Sequence, residues 1–262
     1  MTTEVQQVAD WWATSVSRIE PGVIELRGHP IQELLGEISL TDAIWLMLRG
    51  QLPTSRQAAL LDAALVGSVD HGPHAPSIAI ARMSATCGVG LNNAIANGVN
   101  VMGDVHGGAG QQCLELYNEI LDLVAQGTEL APATHSTVER WRARSRYLPG
   151  FGHRFHPRDP RRDPLVGLVE QAVADGVVDG HFLAAGLAVE AELAPVPMNI
   201  DGATAIIYGE LGFPPPLARG LFVLGRSVGI LAHAWEEIQG GRRIKGPIPP
   251  GITPTYRPAA GS

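Results

Sequence analysis

Apolar side chains recur at helical spacing along most of this chain. Ile44, Trp45, Met47 and Leu48 share one face behind Thr41, a residue suited to capping, and the pattern stops near Gly50. Leu52-Pro53-Thr54-Ser55 then opens a helix to about Leu65. From Ser77 to Val99 the chain is rich in Ala, Gly and Asn; small side chains let helices approach closely, which places this segment in the core. Cys113, Tyr117, Ile120, Leu121 and Val124 form a single stripe between Gly110 and Gln126. Pro164 fits a first helical turn, with the helix reaching about Ala174. Further helices are predicted from about Gly180 to Leu193, Ile200 to Leu211 and Pro216 to Gln239.

Strand signals are sparse. Val23-Ile24-Glu25-Leu26 reads as one short strand near a hairpin, and no strand–helix–strand rhythm follows, which excludes a nucleotide-binding α/β sheet. The Pro- and Gly-rich segment after Ile248 reads as an extended tail. The pattern predicts an all-α, multi-helical fold with a large domain and a smaller lobe. Residues 1–126 form the first part of the large domain, 127–195 the lobe, and 196–262 the second part with the tail. A cleft between the two would be a natural ligand site.

With 262 residues, 45% hydrophobic and 17% charged, the chain can bury a sizeable core. Its net charge of -7 argues against nucleic-acid binding, which runs on excess cations. The apolar run Leu221–Ala234 is short and interrupted by Arg226, so no membrane span is expected. Met1-Thr2-Thr3-Glu4 lacks a basic-then-apolar leader, and a cytoplasmic location is the expectation. Cys87 and Cys113 have no metal-ligand spacing nearby and read as buried thiols in a reducing compartment; no metal is expected.

Three segments carry candidate chemistry. Arg140, Arg142, Arg144, Arg146, Arg154, Arg158, Arg161 and Arg162 fall within residues 140–162 of an otherwise acidic chain. Such a patch suits a ligand with several phosphates or carboxylates, although the first four would also spread around a solvated helix. Within this stretch, Pro149-Gly150-Phe151-Gly152-His153-Arg154 joins glycines that allow close backbone approach to a titratable ring and a fixed cation. Upstream, His106 is embedded in Gly103-Asp104-Val105-His106-Gly107-Gly108 before a strong helix. It can be a simple capping residue, or a neutral imidazole beside a helix N-terminus suited to an enolate-like oxygen. Asp201 opens an apolar helix in Asn199-Ile200-Asp201-Gly202. It reads as an N-cap, or as a carboxylate raised in pKa and able to act as a base.

Together these motifs resemble the citrate synthase superfamily, in family order from about residue 20 to 245. Gly103–Ala109 resembles its glycine-flanked His motif, Pro149–Arg154 with Asp159-Pro160-Arg161 its second His loop, Asn199–Gly202 its catalytic Asp segment, and Leu221–Gly229 its Arg-bearing helix. Leu26-Arg27-Gly28-His29-Pro30-Ile31 and Leu52-Pro53-Thr54 match its early part. Asp70-His71-Gly72-Pro73 and Phe222–Ser227 bring the chain nearest to citryl-CoA lyases and the C-terminal domain of ATP-citrate lyase. It departs from that domain by keeping a His at position 106, as the synthases do.

The resemblance implies a lyase that cleaves citryl-CoA or an analogue to an acyl-CoA and a 2-oxo acid such as oxaloacetate. The alternative is a synthase-type condensation releasing CoA; a non-catalytic CoA-sensing subunit is a third reading. It implies His106, His153 and Asp201 as catalytic residues, with His153 removing the alcohol proton in cleavage. His71, Arg161 and Arg226 would bind substrate carboxylates, and Arg154 is a further candidate. Pro149, Gly150, Phe151 and Gly152 would meet coenzyme A, which enters as part of the substrate, with Arg158 near its phosphates. A homodimer is implied, with Arg243 or Lys245 a poor match for the basic residue that the family takes from a neighbouring subunit. His74 and His156 are read as structural or peripheral.

Overall fold

The computed structural model describes residues 3–258. Helix α1 (Thr3–Trp11) leads into an antiparallel sheet of β1 (Ser17–Glu20), β2 (Val23–Leu26) and β3 (His29–Pro30), in which Ile19 faces Ile24 and Leu26 faces His29. A single turn, α2 (Ile31–Leu34), joins it to α3 (Leu40–Arg49) and α4 (Ser55–Ser68). Both longer helices begin with reciprocal capping boxes, Ser39 with Asp42 and Thr54 with Gln57, each satisfying free first-turn amides. Gly50, at φ 80°, ends α3 in the left-handed conformation glycine favours. The cap of α3 is thus Ser39 rather than Thr41, whose hydroxyl donates to Asp62 instead.

The chain continues through α5 (Pro76–Ala85), α6 (Leu91–Asn100), α7 (Ala109–Ala125), α8 (Leu130–Arg142), α9 (Arg162–Ala174), α10 (His181–Glu192), α11 (Ile200–Glu210) and α12 (Pro215–Gln239). The all-α expectation holds: strands are confined to the small sheet among the described residues. Periodicity did not foretell α1 or α8. The buried face of α8 is Ala133, Thr134, Thr137 and Val138, small or polar residues that give a weak apolar signal.

One core runs through α3, α4 and α7 to α11, centred on Trp45, Leu61, Tyr117, Ile120, Val169, Val189 and Ile206. It joins helices from residues 1–126, 127–195 and 196–262 alike. A second core lies where α5 and α6 meet α12, at Ile78, Ala81, Ala94, Ile230 and Ala234. Here small residues let backbones touch: a Cβ on Gly98 would lie 2.9 Å from both Ile230 and the Ser77 carbonyl. Cys113 is buried as expected, but Cys87 is exposed, near the end of α5 where the chain turns into the α6 connector.

Helix α12 is long and apolar enough to cross a membrane by length and composition. Its packing explains that composition otherwise. Its inner face carries Arg226 and Glu237, both buried, and glycines that lie against the end of α4. Its outer face is a heptad-like stripe of exposed Leu224, Val228, Leu231, Trp235 and Ile238.

Candidate active site

The start of α11 is built around Asn199. Its side-chain oxygen accepts from the amides of Asp201 (2.9 Å) and Gly202 (3.3 Å), while its Nδ2 donates to the Gly152 carbonyl at 2.6 Å. Backbone bonds from Asn199 N to Gly150 O (2.9 Å) and from Gly152 N to Pro197 O (2.8 Å) zip the two segments together, with Phe151 paired to Met198. The approach leaves no room for side chains. A Cβ on Gly202 would lie 2.6 Å from the Gly150 carbonyl, and one on Gly150, already at φ +84°, 2.4 Å from the Cys113 sulfur. The loop carrying His153 is therefore fixed to the helix carrying Asp201.

Asp159 makes a second tie. Its fully buried carboxylate accepts from the Ile200 amide (3.0 Å) and from the backbone and guanidinium of Arg161. Burial alone would raise this carboxyl; the Arg161 hydrogen bonds prevail and hold it at about 2. Arg161 also donates to Gly67 O at the end of α4.

These ties surround a cavity of about 970 Å³. His106, His153 and Asp201 line it, and so do His71, Arg154, Arg161 and Arg226. Arg226, 4% exposed, donates from Nε to the Ser68 carbonyl at 3.0 Å and lies over the Phe222 ring.

Two imidazoles have one nitrogen filled. His106 Nε2 takes the Ser77 N–H at 3.2 Å and lies 3.0 Å from its hydroxyl. The neutral ring then carries its proton on Nδ1. His153 Nδ1 takes the amides of Phe155 and His156, each at 3.0 Å, so its proton sits on Nε2. Each ring can present one N–H donor. Burial, with Arg226 nearby, pushes the His106 pKa down; burial, with His156 and Arg161 against the pull of Asp159, does the same at His153. Burial and then Arg161 lower His71. Burial raises the Asp201 carboxyl, against the opposing effect of Arg161 and Arg226.

The expectation that His153 removes the alcohol proton conflicts with this geometry, because an Nε2–H is a donor. Uptake of a proton there requires the other tautomer and the loss of both bonds to Nδ1. The same constraint bears on metal binding. Ligand nitrogens of His71, His153 and His156 lie within 4.8 Å of one another, a spacing that could hold an ion, but a metal on His153 Nε2 needs the same costly tautomer.

Of the residues expected to face coenzyme A, Phe151 and Gly152 line the cavity. Pro149, Gly150 and Arg158 are not brought to it. Gly150 is buried against Cys113, and Arg158 is spent on a two-pronged pair with Asp163. Arg142 and Arg146 occupy that side instead, beside Tyr147. Spacing alone left those two arginines undecided between ligand and solvent. His74 also lines the cavity, its ring centroid 5.1 Å from that of Phe155, and His156 lies 4.5 Å from His153, so neither is peripheral. Lys245 pairs within its own chain with Glu237.

The comparisons with known proteins bear on this arrangement. A family model described as "Citrate synthase, C-terminal domain" matches residues 55–247, most of the chain and every residue lining the cavity. The chain belongs to the citrate synthase family. A citrate synthase of Haloferax volcanii is 28% identical over 204 residues, 76% of this chain and 52% of that protein. ATP-citrate synthase subunit 1 of Sordaria macrospora is 27% identical over 80% of this chain and 33% of its own length. The chain spans about half the length of the citrate synthases it matches first. Among solved structures, citryl-CoA lyase from Hydrogenobacter thermophilus superposes with a TM-score of 0.80 at 29% identity, over 95% of this chain and 96% of that one. ATP citrate lyase from Methanothrix soehngenii, in complex with citrate and coenzyme A, gives 0.77 at 18% identity over 99% of this chain and 45% of that one, and shares the fold.

Proposed function

We propose that this chain cleaves citryl-CoA, or a similar 3-hydroxy-3-carboxyacyl-CoA, to acetyl-CoA or another acyl-CoA and a 2-oxo acid such as oxaloacetate. The observation that carries this reading is the structural likeness to citryl-CoA lyase, with a TM-score of 0.80 at 29% identity.

In cleavage, the alcohol of the substrate passes its proton to solvent water and the adjacent carbon–carbon bond breaks. The bonding electrons move to the thioester as an enolate. His106 holds the thioester oxygen through Nδ1–H, a donor pre-aimed by the Ser77 amide. His153 holds the alcohol oxygen through Nε2–H, where negative charge builds as the ketone forms. Asp201, raised in pKa by burial, returns a proton to the enolate carbon. His71, Arg154, Arg161 and Arg226 bind the carboxylates. Phe151 and Gly152 meet the thioester arm, and Arg142 and Arg146 the phosphates of coenzyme A. The exposed stripe on α12 supports a homodimer, since five large apolar side chains share one outward face.

A second reading is condensation of an acyl-CoA with a 2-oxo acid and release of CoA. The donor-ready His106 and the synthase relatives favour it. Incubation with citryl-CoA, and separately with acetyl-CoA plus oxaloacetate, separates the two by mass spectrometry and free-thiol assay. Acetyl-CoA and oxaloacetate without free CoA from the first mixture support the lyase. Citrate and free thiol from the second transfer the assignment to a synthase. No change in either mixture removes citryl-CoA as the substrate.

A further inference from the structure

Helix α12 grips the end of α4 and the connector that leads to α5, at two points two helical turns apart. Arg226 Nε donates to Ser68 O at 3.0 Å, and His233 Nε2 lies 3.2 Å from Asp70 Oδ2. Between them Gly229 lies so close that a Cβ would sit 2.3 Å from the Val69 carbonyl. The other nitrogen of His233, Nδ1, is 2.7 Å from Arg82 Nη1. A guanidinium only donates, so Nδ1 accepts and the ring proton is on Nε2, directed at Asp70. The Asp70 carboxylate also accepts from the backbone amides of Gly72 (3.1 Å) and His71. Those bonds close the tight turn, with Gly72 at φ +69°, that presents the His71 ring to the cavity. Arg82 is itself held by Glu236 and Glu237, and Glu237 also takes Lys245.

We propose that His233 is a positioning residue: through Asp70 it fixes the backbone turn that holds His71 beside Arg226 at the carboxylate end of the cavity. The proposal rests on the reading of His71 as a carboxylate ligand. His233 does not line the cavity, and its effect passes entirely through Asp70.

The test is oxaloacetate and acetyl-CoA binding by calorimetry in the full chain and four variants: His71→Ala, His233→Leu, His233→Gln and the double variant His71→Ala with His233→Leu. His233→Leu is expected to weaken oxaloacetate binding about tenfold, the scale of one charge-assisted hydrogen bond, and to leave acetyl-CoA within about twofold. His233→Gln keeps an acceptor for Arg82 and a donor for Asp70 and should recover most of that loss. In the His71→Ala background the leucine should add nothing, since there is no longer a ring to position. If His71→Ala weakens oxaloacetate but His233→Leu does not, or if the two losses add, the positioning role is overturned while the reading of His71 stands. If His71→Ala changes nothing, both fall. Should the leucine variant not fold, Asp70→Asn keeps an oxygen for the Gly72 amide, removes the charge facing His233, and must give the same selective loss.

Discussion

The Asn199 side chain caps the helix that carries Asp201 and, at 2.6 Å, donates to the carbonyl of Gly152, the residue before His153. One amide thus sets the spacing between the two groups proposed to act on opposite ends of the breaking bond. Asn199→Ala should lower kcat about tenfold or more while secondary structure persists, because a misplaced pair loses alignment before the fold is lost. Circular dichroism beside steady-state rates checks this. A rate within twofold of the parent would count against the tie.

Asp201→Asn should leave the fold intact and reduce turnover by about 10³-fold, within the range for loss of a general acid or base. The paired pH profiles carry more information. In condensation Asp201 must be ionised, so the rate should fall on the acid side as pH drops through its raised pKa. In cleavage it must be protonated, so the rate should fall as pH rises through the same value. Profiles of kcat in both directions, which report the group in each bound complex, with limbs of opposite sense, would identify it.

Arg142 and Arg146 line the cavity, whereas Arg158 is engaged with Asp163. Replacing the first two together with alanine should raise KM for the CoA thioester about fivefold at low salt, with a smaller effect as salt rises. Arg158→Ala should stay within about twofold. Steady-state kinetics on CoA and 3′-dephospho-CoA thioesters would show whether the terminal phosphate is what they hold.

Arg226→Ala should raise KM for the carboxylate partner by about tenfold to a hundredfold and change that for the acyl-CoA little, because a buried guanidinium grips carboxylate in charge-assisted bonds. Equal effects on both substrates would argue against that role.

Asp159 links pH to stability. Its folded-state pKa, about 2, lies below the ordinary 3.8. Its contribution is therefore complete above about pH 3.8 and is lost as pH falls through about 2, amounting to roughly 2 kcal/mol. Asp159→Asn should unfold more readily at neutral pH, and its deficit against the parent should shrink as denaturation is repeated toward pH 2.

The helical architecture was legible because its signals are local. Thr54 capped its helix as read, Gly50 ended α3, and the stripe on α7 faces the core from Cys113 to Ile120, with Val124 exposed at its end. All seven catalytic and carboxylate candidates line one cavity, a convergence that came from motif resemblance and not from periodicity. What stayed hidden depends on distant pairing. Nothing in the spacing of Arg142 and Arg158 says that one meets a cavity and the other Asp163. The protons on His106 and His153 are set by amides of Ser77, Phe155 and His156, which carry no sequence signature. Asp159 was visible only as part of a motif; its hold on Ile200 required the folded chain.

Helix α12 turns Arg226 inward and Leu224, Val228, Leu231, Trp235 and Ile238 outward. Whatever body covers the outer stripe bears on the same rod that secures the carboxylate end of the cavity. Reciprocity then makes the two events partners: if covering the stripe sharpens the hold on ligand, ligand must strengthen assembly by an equal factor. In that case dilution would loosen the ligand, and ligand would slow the release of the covering body.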